Sequence, residues 1–452
     1  KQHLASEIEC FVKKFVAINN YYYCNQNKLF LFYNNINFVG FSEDEIQHNA
    51  LAQLREDENL RECKHKVNKI IIREIKNKNP LNAIPESQTI QDVIQMMYSS
   101  LFPSKNYVKY FLCVIGDCIL GKNEELIYII SNEIKHIVHE LTLQMYNHFG
   151  KSNTFNNIKF KYYDHNYKNI RLIYTNKKEL LQEISGSFYK FVVDVLCVSC
   201  YYSNRYGNSD KFLENNSDKI LMNYSLYLHN KNPEQVVNEF LEKCIQKCDD
   251  TTIRYKNMIF VWKIYLDDLN LPNIIFHEHL CDLLKNKISY NSETETFENV
   301  TSVLLPNVAT FIKFWDTNMV EDNNYYEMEL SEVCAIYKEW SGKNINNNDE
   351  IFLIKLIKHF YQDITIIDNK FILNIRCIIW DKKQVVYESL EMFKQTIDET
   401  DIITIYDAYE FYISFSKEGK MNVSKKYFET ISKHLLGSNL DDNGLIKKIN
   451  FL

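Results

Sequence analysis

Glycine and proline are the scarcest punctuation in this chain, 10 and 6 among 452 residues, against about 7% and 5% in ordinary proteins. A chain this poor in breakers is expected to build long helices with few elaborate loops. It also lacks any run of about 18 apolar residues, so no membrane span is expected. Acidic residues interrupt the opening Lys1-Gln2-His3-Leu4-Ala5-Ser6-Glu7-Ile8-Glu9, where a signal peptide would be apolar, and secretion is not expected. The chain starts without Met, which leads us to expect a fragment with sequence upstream. The 12 cysteines are scattered or lie in apolar stretches, a pattern of free thiols in a reducing compartment rather than a disulfide framework. No His-Glu-x-x-His is present, and Gly186-Ser187 has no nucleophile elbow around it, so no nucleophile-base arrangement can be read. The net charge of −7 argues against non-specific coating of nucleic acid; any such contact needs a local basic face.

Against these absences stands one incomplete motif. Gly116-Asp117-Cys118-Ile119-Leu120-Gly121-Lys122-Asn123 follows a phosphate-loop pattern up to its last position, where Asn123 replaces the Ser or Thr whose hydroxyl ligates Mg²⁺. One reading is a nucleotide loop of Gly116 and Gly121 with Lys122 on the phosphates. The other is a helix ending near Gly116 and a turn at Gly121, which the apolar Cys118, Ile119 and Leu120 favour.

The hydrophobic pattern predicts a mixed α/β, mainly helical fold. Tyr21–Tyr23 and Leu29–Tyr33 flank Asn25-Gln26-Asn27, a hairpin signal, and Phe38–Phe41 adds a strand. Ser42 to Glu45 reads as a capping box. Tyr110–Leu120 is apolar enough for a helix or a strand. Leu126–Ile130 and Ile170–Tyr174 read as buried strands, with a helix from Ser131-Asn132 to about His148 and a stop at Gly150. The last 200 residues or so repeat a plan: two helices, then a hairpin. Asn257–Leu269, Ile275–Lys285, Ile288–Tyr290 and Phe297–Val300 form one copy. Ser331–Trp340, Asp349–Phe360, Ile364–Ile367 and Phe371–Trp380 form the next. That is the plan of a winged helix. Ile402–Ser416 and Ser424–Leu435 then read as a helix-turn-helix. The expected domains are a small β-containing N-terminal domain over 1–105, an α/β core over 106–250, winged helices over 251–320 and 325–385, and a helix-turn-helix over 386–452.

Candidate binding residues follow from these placements. In a helix-turn-helix the second helix enters the major groove, so Lys425, Lys426 and Lys433, with His434, are the first DNA-binding candidates. Lys355 and Lys358 hold the corresponding place in the middle unit. In the first unit Glu293, Glu295 and Glu298 crowd the wing, which argues against DNA there. Arg205 among Tyr201, Tyr202 and Tyr206 offers a stacking site, against the commoner reading of aromatics packed on a core. Cys197 and Cys200, with Cys244 and Cys248, supply two thiol pairs for a structural zinc, against buried free thiols. Asp194 is a candidate Mg²⁺ carboxylate if Phe191–Asp194 is a strand end, although helical spacing suits that stretch better.

Several of these segments together resemble the primase-helicases (superfamily three) of poxviruses and other large DNA viruses. Tyr21–Phe41 looks like the strand-rich start of the domain before their helicase. Tyr110–Asp117 is similar to the helix that precedes its first strand. Val333–Trp340, Tyr406–Phe411 and Val423–Phe428 look like the carboxy-terminal tail. The chain is also similar to uncharacterised giant-virus proteins. The resemblance implies that the central domain is a helicase-like remnant. Leu126–Ile130 is then the strand that a phosphate loop should follow, yet Ser131-Asn132-Glu133-Ile134-Lys135 has no Gly to let amides turn inward onto phosphates. The function implied is a replication-associated protein that contacts DNA or viral replication partners without hydrolysing ATP. No cofactor is expected. An active ATPase using Lys122, ATP and Mg²⁺ is one alternative, and a structural protein using winged helices for protein contacts is another. The family implies the host cytoplasm or viral factory as location, and ring-forming helicases as precedent for a homo-oligomer.

Overall fold

The computed structural model of the chain describes residues 2–54, 58–176, 190–323, 327–342, 349–396, 403–415 and 422–437. The fold is mixed α/β and mainly helical. Its contacts divide it into two units, Lys1–Cys244 with Trp262–Glu293, and Ile245–Val261 with Thr294–Leu452.

The first unit opens with helix α1 (Gln2–Ile18) and three strands, β1 (Tyr21–Cys24), β2 (Leu29–Tyr33) and β3 (Phe38–Phe41). They form an antiparallel sheet in which Tyr21 faces Phe32 and Phe30 faces Phe41. The predicted hairpin and third strand are therefore present. Ser42 caps α2 (Glu43–Leu54) as predicted: its hydroxyl accepts from the Glu45 amide, while its own amide donates to Glu45 Oε2. The short α3 (Glu58–Arg61) and α4 (Lys64–Lys76) follow. Ile8, Val12 and Phe15 of α1 are buried with Ile46 and Ala50 of α2 and Val67, Ile71 and Ile75 of α4, apolar residues recurring at helical spacing.

After α5 (Ser87–Met97) comes α6 (Lys105–Leu120), buried on nearly every side from Tyr107 to Ile119. The ambiguity over Tyr110–Leu120 resolves as a helix because a helix apolar all round belongs at the centre of a core. Strand β4 (Ile127–Ile130), helix α7 (Lys135–Phe149), strand β5 (Ile158–Lys159) and strand β6 (Ile170–Ile173) make a parallel sheet of order β5-β4-β6. Gly150 ends α7 in the left-handed conformation, φ 65°. Helix α8 (Val192–Tyr206) crosses α6 so closely that a Cβ on Gly116 would sit 2.1 Å from the Ser199 carbonyl oxygen. Only glycine fits that crossing. Helices α9 (Ser209–Asn215), α10 (Lys219–Ser225) and α11 (Pro233–Cys244) complete this part.

Strand β7 (Gln246–Arg254), helices α12 (Tyr255–Asp268) and α13 (His277–Lys285), and strands β8 (Tyr290–Asn291) and β9 (Thr296–Thr301) come next. β7 pairs antiparallel with β9, with a register break between Lys247 and Thr252. Its sequence is polar and mostly exposed, so no hydrophobic alternation announces it. Then come α14 (Leu305–Asn318), β10 (Met319–Glu321), β11 (Glu327–Glu329), α15 (Leu330–Ser341), α16 (Asp349–Phe360), β12 (Ile366–Ile367), β13 (Phe371–Leu373) and β14 (Ile375–Cys377). Strands β11-β13-β12 form one antiparallel sheet, and β14 turns away to pair with β10. The strand predicted over Phe371–Trp380 is thus split, because Asn374 takes φ 57° between its halves. The second unit ends with α17 (Lys382–Gln395), α18 (Ile405–Phe415) and α19 (Lys425–Leu436), which share a core of Val386, Leu390, Ala408, Tyr412, Phe428 and Ile431.

Candidate nucleic-acid interface

Helix α19 starts at Ser424, whose hydroxyl accepts from the Tyr427 amide. Tyr427, Phe428, Ile431, Ser432 and Leu436 are buried. The same periodicity leaves Lys425, Lys426, Thr430, Lys433 and His434 exposed. Glu429 is the one acidic residue of the helix and is half-buried. Lys425 Nζ lies 4.4 Å from the centre of the Tyr406 ring, which is itself 51% exposed. The structure thus gathers three of the lysines read from the sequence on one open helix face.

A buried ion pair orients that helix. Lys382, 3% exposed, donates to Glu332 Oε2 at 2.8 Å and to the Glu327 carbonyl at 3.2 Å. Its ammonium also lies 3.9 Å from the centre of the Tyr427 ring of α19. Burial pushes the Glu332 carboxyl up, and the Lys382 charge opposes that.

Lys355 and Lys358 sit differently. The opening turns of α12 cover α16: the Phe260 ring lies 5.8, 5.4 and 5.5 Å from Phe352, His359 and Phe360. His359 Nε2 meets the Lys256 carbonyl at 2.8 Å, and Lys256 Nζ donates to the Phe360 carbonyl at 3.1 Å. Lys355 is half-buried, and Lys358, although exposed, donates to Asn369 Oδ1 at 2.6 Å. In the first unit Arg205 is exposed on α8, 5.6 Å from the Tyr206 ring centre. The tyrosines around it pack on their own core, Tyr202 stacked on Tyr206 and Tyr206 edge-on to Phe212.

The Gly116–Asn123 stretch is helical up to Leu120, and Gly121 caps the helix at φ 67°. The helix therefore ends later than a stop near Gly116, and the amides of 116–120 are spent inside it. Lys122 Nζ donates to Ser203 O and Oγ, Asn204 Oδ1 and Gly207 O at 3.0–3.3 Å. Those acceptors cluster at the carboxyl end of α8, where a cation suits the helix dipole. Asp117, fully buried, accepts from Ser203 Oγ at 2.6 Å and from the Ser209 amide at 2.7 Å. Burial pushes its carboxyl up against those hydrogen bonds and Lys122.

Cys197 and Cys200 are buried on α8, Cys197 donating weakly to the Ala83 carbonyl, while Cys244 ends α11 and Cys248 is exposed on β7. Among the described residues no group of three or more His, Cys, Asp or Glu is placed to hold a metal ion. Asp194 lies in the first turn of α8, not at a strand end. Its Oδ1 accepts from the Phe38 amide at 2.9 Å, and its buried Oδ2 has no hydrogen-bond partner. The residue lines a cavity of about 330 Å³ with Thr89 and Asp92.

Residues 151–169 read in the sequence only as an Asn, Lys and Tyr-rich stretch. The structure brings Lys159, Lys161 and His165 from it together with Lys135 around a pocket at the end of the parallel sheet. The alternation of lysine and aromatic residues in Lys159-Phe160-Lys161-Tyr162-Tyr163 was the available signal.

No family model matches this chain, and neither does any curated protein or solved structure. Among the described residues no helix is long and apolar enough to cross a membrane.

Proposed function

We propose that the chain is a viral DNA-replication-associated protein, related to primase-helicases, that binds DNA without hydrolysing ATP. The observation that carries the binding is the open face of α19, with Lys425, Lys426 and Lys433 exposed on the third helix of a three-helix unit. We read α17–α19 as a helix-turn-helix unit in which α19 meets the duplex and its lysines neutralise phosphates. Two features support the absence of hydrolysis. The Lys122 ammonium is engaged at the end of α8, and the turn after β4 has no glycine to bring amides onto a triphosphate.

Fluorescence anisotropy with a labelled duplex tests this reading. Affinity is expected to fall with salt and to drop about a hundredfold in Lys425→Glu/Lys426→Glu/Lys433→Glu, as counterion release by three phosphate contacts requires. Lys355→Glu/Lys358→Glu is expected to stay within about twofold, since Lys355 is half-buried and the exposed Lys358 already donates to Asn369. Duplex affinity that ignores both salt and the triple reversal would refute the reading.

The middle unit favours a second role. Helix α14, strand β11, helices α15 and α16, and strands β12 and β13 follow the winged-helix order, with β13 central. The third helix of this unit is covered by α12, so we assign the unit to packing rather than to DNA.

A further inference from the structure

Strands β4 and β5 run parallel, Tyr128 beside Ile158 and Ile129 beside Lys159, so their carboxyl ends emerge at one edge of the sheet. At that edge lies an open pocket of about 470 Å³, bordered on one side by Asn132 and Lys135 and on the other by Lys159, Phe160, Lys161, Tyr163 and His165. The carboxyl edge of a parallel sheet is the usual place for a ligand in such folds, and this volume is that of a small-molecule site.

The chemistry of the lining is one-sided. It contains three lysines and a histidine but no carboxylate. None of the three lysines is ion-paired among the described residues; Lys135 only leans over the Phe160 ring at 6.0 Å. The nearby Asp164 is exposed and takes the Tyr162 hydroxyl at 3.3 Å, while Glu133 is exposed and outside the lining. The His165 Nε2 atom is buried and has no hydrogen-bond partner. The short turn after β4 leads into the 15-residue α7, and the Lys135 amide is already taken by the Asn132 carbonyl, so the lysine side chains and not the backbone are what the pocket offers an anion. Converging ammonium groups are the surroundings an anionic oxygen cluster needs. Tyr163, 59% exposed, presents an aromatic face beside them, as a base requires.

We propose that this pocket binds a phosphate-bearing nucleotide, its phosphate held by Lys135, Lys159 and Lys161 and its base against Tyr163. Because the lining has no carboxylate to bring Mg²⁺, binding needs no metal ion. The phosphate belongs either to a free nucleotide or to the 5′ end of a single strand.

The test is titration of the full chain in EDTA with fluorescently labelled ADP, competed by inorganic pyrophosphate. Lys159→Glu/Lys161→Glu, on exposed and half-exposed positions, is expected to weaken both ligands at least about tenfold with unchanged circular dichroism. Tyr163→Ala is expected to weaken ADP and spare pyrophosphate. The α19 triple reversal is expected to change neither, so this proposal and the duplex-binding reading fail separately. Stronger competition by a 5′-phosphorylated strand than by its 5′-hydroxyl counterpart supports the strand end as ligand; competition by free nucleotide alone supports the free form. Absence of ADP and pyrophosphate binding at low salt, binding that appears only with Mg²⁺, or binding indifferent to the Lys159/Lys161 reversal would overturn the proposal.

Discussion

Lys122 and the lysines of α19 carry the same side chain in opposite circumstances. Lys122 belongs to the one stretch of sequence that approaches a nucleotide motif, yet its ammonium meets four acceptors at the end of α8. Lys425, Lys426 and Lys433 belong to no motif, yet they stand exposed along one helix face. Pattern and availability are different properties. A lysine whose hydrogen bonds are already made inside the fold contributes stability, and a lysine in water has its charge to offer to a phosphate. Lys382 is the extreme of the first kind, and Asp194 is the inverse case, a buried carboxyl with no cation beside it.

The largest effect is expected at Lys382. Lys382→Met keeps the aliphatic stem but leaves the Glu332 carboxylate buried without its partner, which costs about 3–5 kcal/mol. Lys382→Met/Glu332→Gln is expected to recover most of that loss, because it removes the stranded charge as well. Urea denaturation of the single and double variants measures both. Equal destabilisation by the two would mean that the lysine acts by packing on Tyr427 rather than by charge.

Asp194 comes next and has a pH signature. Burial pushes its carboxyl up to about 7, against about 3.9 in an unfolded chain. The folded protein therefore keeps a proton that the unfolded chain has already released. This group's stabilisation is full below about pH 4 and is lost as pH rises through about 7, a difference on the order of 4 kcal/mol. Asp194→Asn keeps an acceptor for the Phe38 amide and cannot ionise. It is expected to be more stable than the parent chain at pH 8, with the gap narrowing steadily below pH 7 and closing near pH 4. Parallel stability curves for the two proteins across that range would refute a buried, titrating Asp194.

These contrasts also mark what sequence could deliver. Periodicity placed β1, β2, β3 and β4 and the helices α7, α15 and α16, because each buries an apolar face that shows in the spacing. It missed β7, whose residues are polar and exposed and which is a strand only because β9 lies beside it. It ran β13 and β14 together because a left-handed Asn374 leaves no mark in hydrophobicity. Of the α19 face, all three lysines were legible, since one helix wheel carries them. That α16 is covered was not legible, because the covering residue, Phe260, comes from a helix about 90 positions earlier in the chain. The pocket beside β4 was hidden for the same reason: Lys135 and Lys161 meet only through the parallel pairing of β4 with β5.

The smallest expected effect is the sharpest test of the opening contrast. Lys122→Met removes a half-exposed ammonium that stabilises the last carbonyls of α8, and a loss of about 1–2 kcal/mol is expected. Asp117 would lose a nearby positive charge that favours its ionised form, so the deficit should grow as pH rises. Nucleotide affinity, which we place at the β4–β5 pocket, should not change. If Lys122 were instead a phosphate ligand, the substitution would abolish nucleotide binding and leave stability untouched. Denaturation and ADP titration on the same preparation separate the two outcomes, because each reading predicts a change in one measurement and none in the other.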